Sequence, residues 1–363
     1  MIGILGGYGS IGTHCTRASV TLFDDKIRIG GRNASAADKL IELYPGRIEY
    51  AYADINDPAS LREFMHGTRL IINCTAPSYY TSRKVAEQAG RSHAPYIDAG
   101  LPENFFEWQS SFSPMSAMIF GAGSTPGVSG LFLRHILSLN PCSNRLDYYY
   151  TAFGRLSYAA AYDYLYGVCN RKQDEPFSWK NGEPCFDVIS QKSDLRLPFI
   201  DDKLIAQPFF DSETAYCAKI GSLKDGNFYC AAAENRNLNK MRPVFSLFRE
   251  NPEIAAKQLS EMTEDLTDLS CIRYYCELEN AEGRKKVYSL YHPDSEELTG
   301  TTAAVCAKYL SAQIDEPPRA ILPVQLTHPD KILSIMNEFF GVGYPDEFDG
   351  TLDSMTNEEY GEL

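Results

Sequence analysis

The sequence predicts an α/β protein. A doubly wound parallel sheet at the N-terminus is followed by a second, α+β domain built on a mainly antiparallel sheet. Three observations carry this expectation. The chain opens as an apolar strand running directly into closely spaced glycines, MIGILGGYGSIG. Strand-like and helix-like segments then alternate through the first third, the pattern of a parallel sheet with crossover helices. Beyond Pro126-Gly127 the pattern changes to aromatic, β-branched segments punctuated by glycine and aspartate, which reads as antiparallel sheet.

Residues 1 to 5 form the first strand, and residues 10 to 23 carry a helix. Lys26 to Ile29 alternate polar and apolar side chains and read as the second strand. A helix follows over residues 35 to 43, ended by Pro45-Gly46, and Ile48 to Ala53 make a third strand. Asp57 is placed to cap the next helix with Pro58 at its first position. Leu70 to Cys74 is almost purely apolar, as a strand buried on both faces requires. A helix is expected from about Ser82 to Ala89, then short strands at Ala94 to Asp98 and Met118 to Phe120.

Val128 to Leu139 has helical spacing, stopped by Pro141. The segments DYYYTAF, CFDVIS, RLPFI, ETAYCAKI and NFYCAAA are read as strands. Residues 154 to 168, dense in tyrosine, fit either a helix or a mobile loop. Tyr274 to Leu278 and Lys286 to Leu290 pair as a hairpin whose turn contains Asn280-Ala281-Glu282-Gly283. Residues 301 to 313 return to a helical period with many small side chains, which suits close packing on another helix. The acidic C-terminal stretch is expected to fray. The expected division is therefore 1–125, 126–297 and 298–363: a nucleotide domain, a substrate and dimerisation domain, and a returning helix with a tail.

The 363 residues suit two domains. A formal net charge of −14 argues against a nucleic-acid backbone as partner. No segment has the apolar length of a membrane span, and the N-terminal apolar stretch is already used as a strand. Ten cysteines are scattered without a C-x-x-C pair, and six histidines do not cluster. Free thiols in a reducing cytoplasm and no structural metal are expected.

The glycine pattern has a physical meaning. In G-x-G-x-x-G, Gly7 makes the tight turn, Gly9 lets backbone approach a pyrophosphate, and Gly12 permits close helix–strand contact. The following helix then presents free N–H groups and a positive dipole end to the phosphates. The first domain is therefore read as a Rossmann-type nucleotide fold, with Gly7, Tyr8, Gly9, Ser10, Ile11 and Gly12 at the pyrophosphate. A carboxylate usually follows the second strand to hold a ribose 2′-hydroxyl; here Gly31, Arg32 and Asn33 follow it instead. A planar guanidinium matches a 2′-phosphate. The expected cofactor is NADP(H), with Arg32 and Asn33 at its 2′-phosphate; the bland alternative for Arg32 is a solvated surface arginine. Asp54, after the third strand, suits either adenine contact or a helix start. Thr75, Ala76 and Pro77 leave the fourth strand where a parallel sheet puts its ligands.

Three stretches taken in order are similar to the saccharopine dehydrogenase (reductase) family. They are GGYGSIG with GGRN; INCTAPS with YIDAG and AGSTPGVSG; and LTGTTAAVCAKYLS followed by Pro323. The resemblance spans most of the chain, although the central region has no close match. It implies NADP(H) chemistry at a carbon–nitrogen bond: an imine reduced to a carboxylated secondary amine, or the reverse. It also implies an amine and keto-acid type substrate and a homodimer. Gly123, with Pro126 and Gly127, is then expected to wall the nicotinamide.

For catalysis the candidates are Asp98, Tyr150, Arg155 and Tyr158. Asp98 ends a short strand near the expected nicotinamide; it fits either a proton or ammonium role or the bracing of its loop. Arg155 suits a substrate carboxylate, and the tyrosines suit a proton or hydrogen bond, or simple packing. Arg236 is a comparable candidate; Lys224 and Lys240 carry no further warrant, and Cys74 lacks a histidine partner. Two other readings stay open: an NADPH-dependent carbonyl or enoyl reductase, and a non-catalytic NADPH-binding protein.

Overall fold

The computed structural model describes residues 1–170, 176–187, 189–233, 238–264, 270–312 and 316–361; at 238–240, 242 and 358–361 it describes the backbone alone. The chain divides into two compact units. The first comprises Met1–Leu131 with Glu296–Val342, the second Phe132–Ser295 with Gly343–Leu363.

In the first unit, β1 (Ile2–Leu5), β2 (Ile27–Gly31), β3 (Ile48–Tyr52), β4 (Leu70–Asn73), β5 (Tyr96–Asp98), β6 (Met118–Ile119) and β15 (Ala320–Ile321) form one seven-stranded sheet. Its order is β15-β6-β5-β4-β1-β2-β3, and every pair is parallel. The crossovers are α1 (Ser10–Leu22), α2 (Asp38–Leu43), α3 (Pro58–Met65), α4 (Ser78–Ala89) and α5 (Phe105–Ser111). The central strands read as continuous apolar runs because helices cover both faces. Ile2, Ile4, Ile27, Ile29, Ile71, Ile72 and Ile97 have no exposed surface. Asp57 caps α3 by accepting the Ala59 N–H at 2.9 Å, with Pro58 next in line. Later in the chain α11 (Ser295–Ser311) and α12 (Asp330–Phe340) join this unit, α11 with its first residue across the division.

The second unit is a nine-stranded mixed sheet. Its main path is β10 (Lys192–Leu195), β11 (Leu204–Pro208), β12 (Asp225–Ala233), β7 (Ser143–Phe153), β13 (Cys271–Asn280), β14 (Lys285–His292) and β16 (Asp346–Asp349). β8 (Ser178–Lys180) and β9 (Glu183–Cys185) pair beside β12. β12 and β7 run parallel; the other pairs are antiparallel. The β13–β14 hairpin turns where the sequence indicates: the Asn280 side chain accepts the N–H groups of Glu282 and Arg284. One face buries Tyr149, Tyr229, Tyr275 and Val287. Helices α7 (Tyr158–Cys169), α9 (Leu238–Glu250) and α10 (Pro252–Met262) pack around Leu165, Val244, Phe248 and Leu259. α6 (Val128–Leu139), α8 (Ser212–Ile220) and α13 (Leu352–Gly361) complete the α-helices of the described residues.

Several sequence expectations change. ETAYCAKI is α8, not a strand. Asp211 and Thr214 form a reciprocal capping box, and Glu213, Thr214, Cys217 and Ala218 are buried at helical spacing. The cap outweighs the aromatic and β-branched content that suggested a strand. In RLPFI the residues after Leu195 form no strand, and among the described residues of CFDVIS only Cys185 lies in one. α4 starts at Ser78, four residues before the expected Ser82. Residues 154 to 168 resolve as a helix from Tyr158, capped by the Ser157 hydroxyl. The acidic C-terminal stretch supplies β16, which pairs with β14, instead of fraying throughout.

Candidate functional site

The strands of the first sheet are parallel, so the loops leaving β1, β2, β4, β5 and β6 share one edge. Backbone hydrogen bonds tie them in series. The N–H of Gly6 donates to Gly30 at 2.8 Å, that of Cys74 to Leu5 at 2.9 Å, that of Ala99 to Asn73 at 3.0 Å, and that of Ala122 to Asp98 at 2.9 Å. The candidate residues of this unit lie on or beside this edge.

The glycine loop is a tight cradle. A Cβ on Gly12 would stand 1.9 Å from the Gly6 carbonyl oxygen, so only glycine lets α1 begin this close to the turn. A Cβ on Gly9 would meet only the Gly6 oxygen, at 3.2 Å, which leaves the backbone open to a ligand. Gly9 is the N-cap of α1 and supplies no side-chain cap, and the helix has no acidic residue in its first turn. Its leading N–H groups and dipole therefore suit an anion. Ser10 is exposed and Ile11 half-buried at the same end. Tyr8 turns from the cradle toward β2: its hydroxyl accepts the Asn33 N–H at 3.0 Å and would lie 2.1 Å from any Cβ on Gly31.

Arg32 is exposed and makes no ion pair among the described residues, which leaves its guanidinium available to an anion. The Asn33 side chain accepts the Ser35 hydroxyl at 2.8 Å. Among the described residues, no carboxylate stands in the β2 exit. Asp54 is engaged locally: its side chain accepts the Asn56 N–H at 2.9 Å and its N–H donates to Ser60 at 2.9 Å. That geometry serves the start of α3, one of the two roles open to it.

At the β4 exit, Asn73 is the link. Its side-chain amide oxygen, Oδ1, accepts the Thr75 hydroxyl at 2.7 Å and the Thr75 N–H at 3.2 Å. Its amide donates to Asp98 at 3.0 Å. Ala76 leads into Pro77, whose carbonyl receives the Tyr80 and Thr81 N–H groups at the start of α4. Asp98 is 1 % exposed and also accepts from the Tyr96 hydroxyl and from the Gly100 N–H, the latter at 3.0 Å. Burial raises its pKa to about 6, against the pull of those donors and of Ser82. With its oxygens engaged below the surface, Asp98 braces two strand exits. At the β6 exit, Gly123 and Gly127 form a bridge, and Ser124 N–H donates to Thr299 Oγ1 at 3.1 Å.

The remaining candidates belong to the second unit. Tyr150, on β7, is half-buried with its ring 5.2 Å from that of Phe209; burial pushes its phenol well above the ordinary tyrosine value. Arg155 and Tyr158 are exposed just beyond β7, Tyr158 with its ring 6.5 Å from Tyr162. Arg236 lies outside the described residues, as does the Lys240 side chain. Among the described residues, no three His, Cys, Asp or Glu side chains are grouped to hold a metal, and no helix is long and apolar enough to cross a membrane. All ten cysteines are free thiols.

Sequence reasoning missed Asn73, Tyr96 and Glu296. The signal for Asn73 is a lone amide closing the apolar run LIIN. Tyr96 gave no such signal, because an aromatic residue in a buried strand reads as core. Glu296 reaches the site through α11, far along the chain: its carboxylate accepts the Ser10 hydroxyl.

Comparison with known proteins agrees with this geometry. Residues 2–116 match the family model of the saccharopine dehydrogenase NADP binding domain, which makes this segment an NADP-binding domain. The structure is similar to saccharopine dehydrogenase (L-Glu forming) from Saccharomyces cerevisiae, with a TM-score of 0.69 at 12% identity, covering 96% of this chain and 99% of that one. That likeness establishes the shared fold. A triphenylmethane reductase from Citrobacter sp. complexed with NADP(H) aligns over 28% of this chain and 37% of its own, at 19% identity and a TM-score of 0.24. No curated protein sequence matches significantly.

Proposed function

Residues 2–116 belong to the family of saccharopine dehydrogenase NADP-binding domains, and from that premise we propose that the protein is an NADP(H)-dependent oxidoreductase acting on a carbon–nitrogen bond. It reduces an imine, formed from an amine and a keto acid, to a carboxylated secondary amine, or runs the reverse oxidation. The observation that carries its cofactor half is the pairing of the Gly6–Gly12 cradle with an exposed Arg32 and, among the described residues, no acid at the β2 exit; the carbon–nitrogen chemistry rests on the likeness to saccharopine dehydrogenase. That pairing favours a phosphorylated adenosine end.

In this reading the bound cofactor supplies hydride from its nicotinamide C4. The chain's residues do the rest. Gly7, Tyr8, Gly9, Ser10, Ile11 and Gly12 seat the pyrophosphate, mostly by backbone. Arg32 and Asn33 hold the 2′-phosphate. Thr75, Ala76, Pro77 and Gly123 shape the strand exits beside the ribose and nicotinamide, and the Asn73–Asp98 pair keeps those exits in register. Asp98 is a positioning residue here. Arg155 offers an exposed guanidinium for a substrate carboxylate, and Tyr150 and Tyr158 are the candidate hydrogen-bond donors. A homodimer and a cytoplasmic location belong to the same proposal.

The test is NADPH consumption with a panel of amines and keto acids. Oxidation that requires both partners, with a new secondary amine seen by mass spectrometry, supports the reading. Consumption with a carbonyl compound alone points to a carbonyl or enoyl reductase. NADPH binding without turnover of any pair points to a non-catalytic role.

A further inference from the structure

A carboxylate stands at the phosphate cradle. Glu296 accepts the hydroxyl of Ser10, the first residue of α1. The placement follows from packing. A Cβ on Gly300 would lie 2.5 Å from the Ile11 oxygen and 2.7 Å from the Cys15 nitrogen, so the α11 backbone touches the first turns of α1. Lys308 donates to the Leu22 carbonyl at 2.7 Å, at the other end of α1. The two helices therefore run in the same direction with their N-termini side by side. Glu296, one turn before Gly300, is delivered to the end of α1 that lacks a side-chain cap.

We propose that Glu296 is a built-in competitor of the cofactor's pyrophosphate and sets the affinity of the NADP site. The inference rests on the cofactor reading above. The pyrophosphate brings negative charge to the helix end where Glu296 already engages Ser10. Two anions at one set of donors repel, and the cofactor gains those donors only as the carboxylate gives up Ser10. Glu296 also complements the N-terminal dipole of its own helix, α11. That local role concerns stability, whereas competition concerns one part of one ligand.

The experiment is calorimetric titration of NADPH and of adenosine 2′-monophosphate, which lacks the pyrophosphate, into the wild type, Glu296→Gln, Glu296→Asp and Glu297→Gln. Glu296→Gln is expected to bind NADPH about tenfold more tightly, a gain of about 1.4 kcal/mol. Glu296→Asp keeps a charge in the first turn of α11 but draws it back from Ser10, and shows a smaller gain in the same direction. Adenosine 2′-monophosphate binds both variants as it binds the wild type. Glu297→Gln makes the same charge change one residue along and leaves NADPH affinity within about twofold, on the same order-of-magnitude scale. NADPH affinity unchanged in Glu296→Gln and Glu296→Asp overturns the inference alone. So does an equal gain for adenosine 2′-monophosphate or in Glu297→Gln, either of which marks a diffuse charge effect. Absence of NADPH binding by every protein, wild type included, overturns the cofactor reading and this inference with it.

Discussion

The Tyr8 hydroxyl accepts the backbone N–H of Asn33 at 3.0 Å, which joins the loop after β1 to the loop after β2. One side chain therefore sets the spacing between the glycine loop and the loop that carries Arg32 and Asn33. Tyr8→Phe keeps the ring against Gly31 but removes the acceptor of the exposed Asn33 N–H and with it the link between the two loops. A lost hydrogen bond of this kind costs about 1 kcal/mol. NADPH affinity should fall about fivefold by the same estimate, with little change in melting temperature. Calorimetry with an unaltered NADPH affinity would remove Tyr8 from the positioning of Arg32 and Asn33.

Arg32→Ala should weaken NADPH by about 10- to 100-fold, the range for loss of a hydrogen bond to a charged group. NADH should change far less, because it lacks the 2′-phosphate. Equal losses for both cofactors would return Arg32 to the solvated surface.

Gly12→Ala should cost about 3 kcal/mol and abolish cofactor binding, since the new methyl would stand 1.9 Å from the Gly6 oxygen and one backbone must move. Denaturant unfolding reads the first effect and calorimetry the second. A stable variant that still binds NADPH would show that the loop has room to relax.

Asp98 makes stability depend on pH. Its folded pKa, about 6, lies above the ordinary aspartate value of 3.8. The unfolded chain therefore releases this proton first as pH rises. The associated stability is complete below about pH 4 and is lost as pH climbs through about 6. The stability difference between wild type and Asp98→Asn should shift by about 3 kcal/mol against the wild type from pH 4 to pH 7. A difference that stays flat over that window would mean the carboxylate is not held as described.

Asp25 has the opposite sign. Its carboxylate is bound by Arg69 at 2.6 and 2.9 Å and by the N-terminal ammonium at 3.2 Å, and these cations hold its pKa well below the usual carboxylate range. Its contribution is present above about pH 4 and lost as acid protonates it. Because the pair is partly solvated, Asp25→Asn should cost only about 0.5–1 kcal/mol at pH 7. The cost should shrink in high salt, and shrink steadily as pH falls below about 4 by the same linkage; urea unfolding across pH would show whether it does.

Much of the first unit was legible because its signals are local. A strand buried on both faces must be apolar, a helix start must be capped, and a glycine stands where no Cβ fits; each rule acts within a few residues. Asp57 with Pro58 and the Gly7–Gly12 pattern were readable for that reason. ETAYCAKI was not, because its β-type content and its capping box point in opposite directions, and burial at helical spacing decided between them. Asp98 was visible as a polar residue at a strand end. Bracing was one of the two roles open to it; its partners were not legible, since Asn73 and Tyr96 meet it only below the surface.

By itself the amino-acid order determined the local features of the sheet edge: a tight glycine loop at the end of β1, a cation in place of an acid after β2, and a polar loop after β4. Those follow from steric and electrostatic demands that neighbouring residues satisfy on their own. Tertiary structure alone decided that Tyr8 spans two loops, that Asp98 faces inward, and that Glu296, 286 positions from Ser10, reaches the cradle. Contacts between distant segments depend on how helices and strands pack, and no short stretch of sequence encodes that.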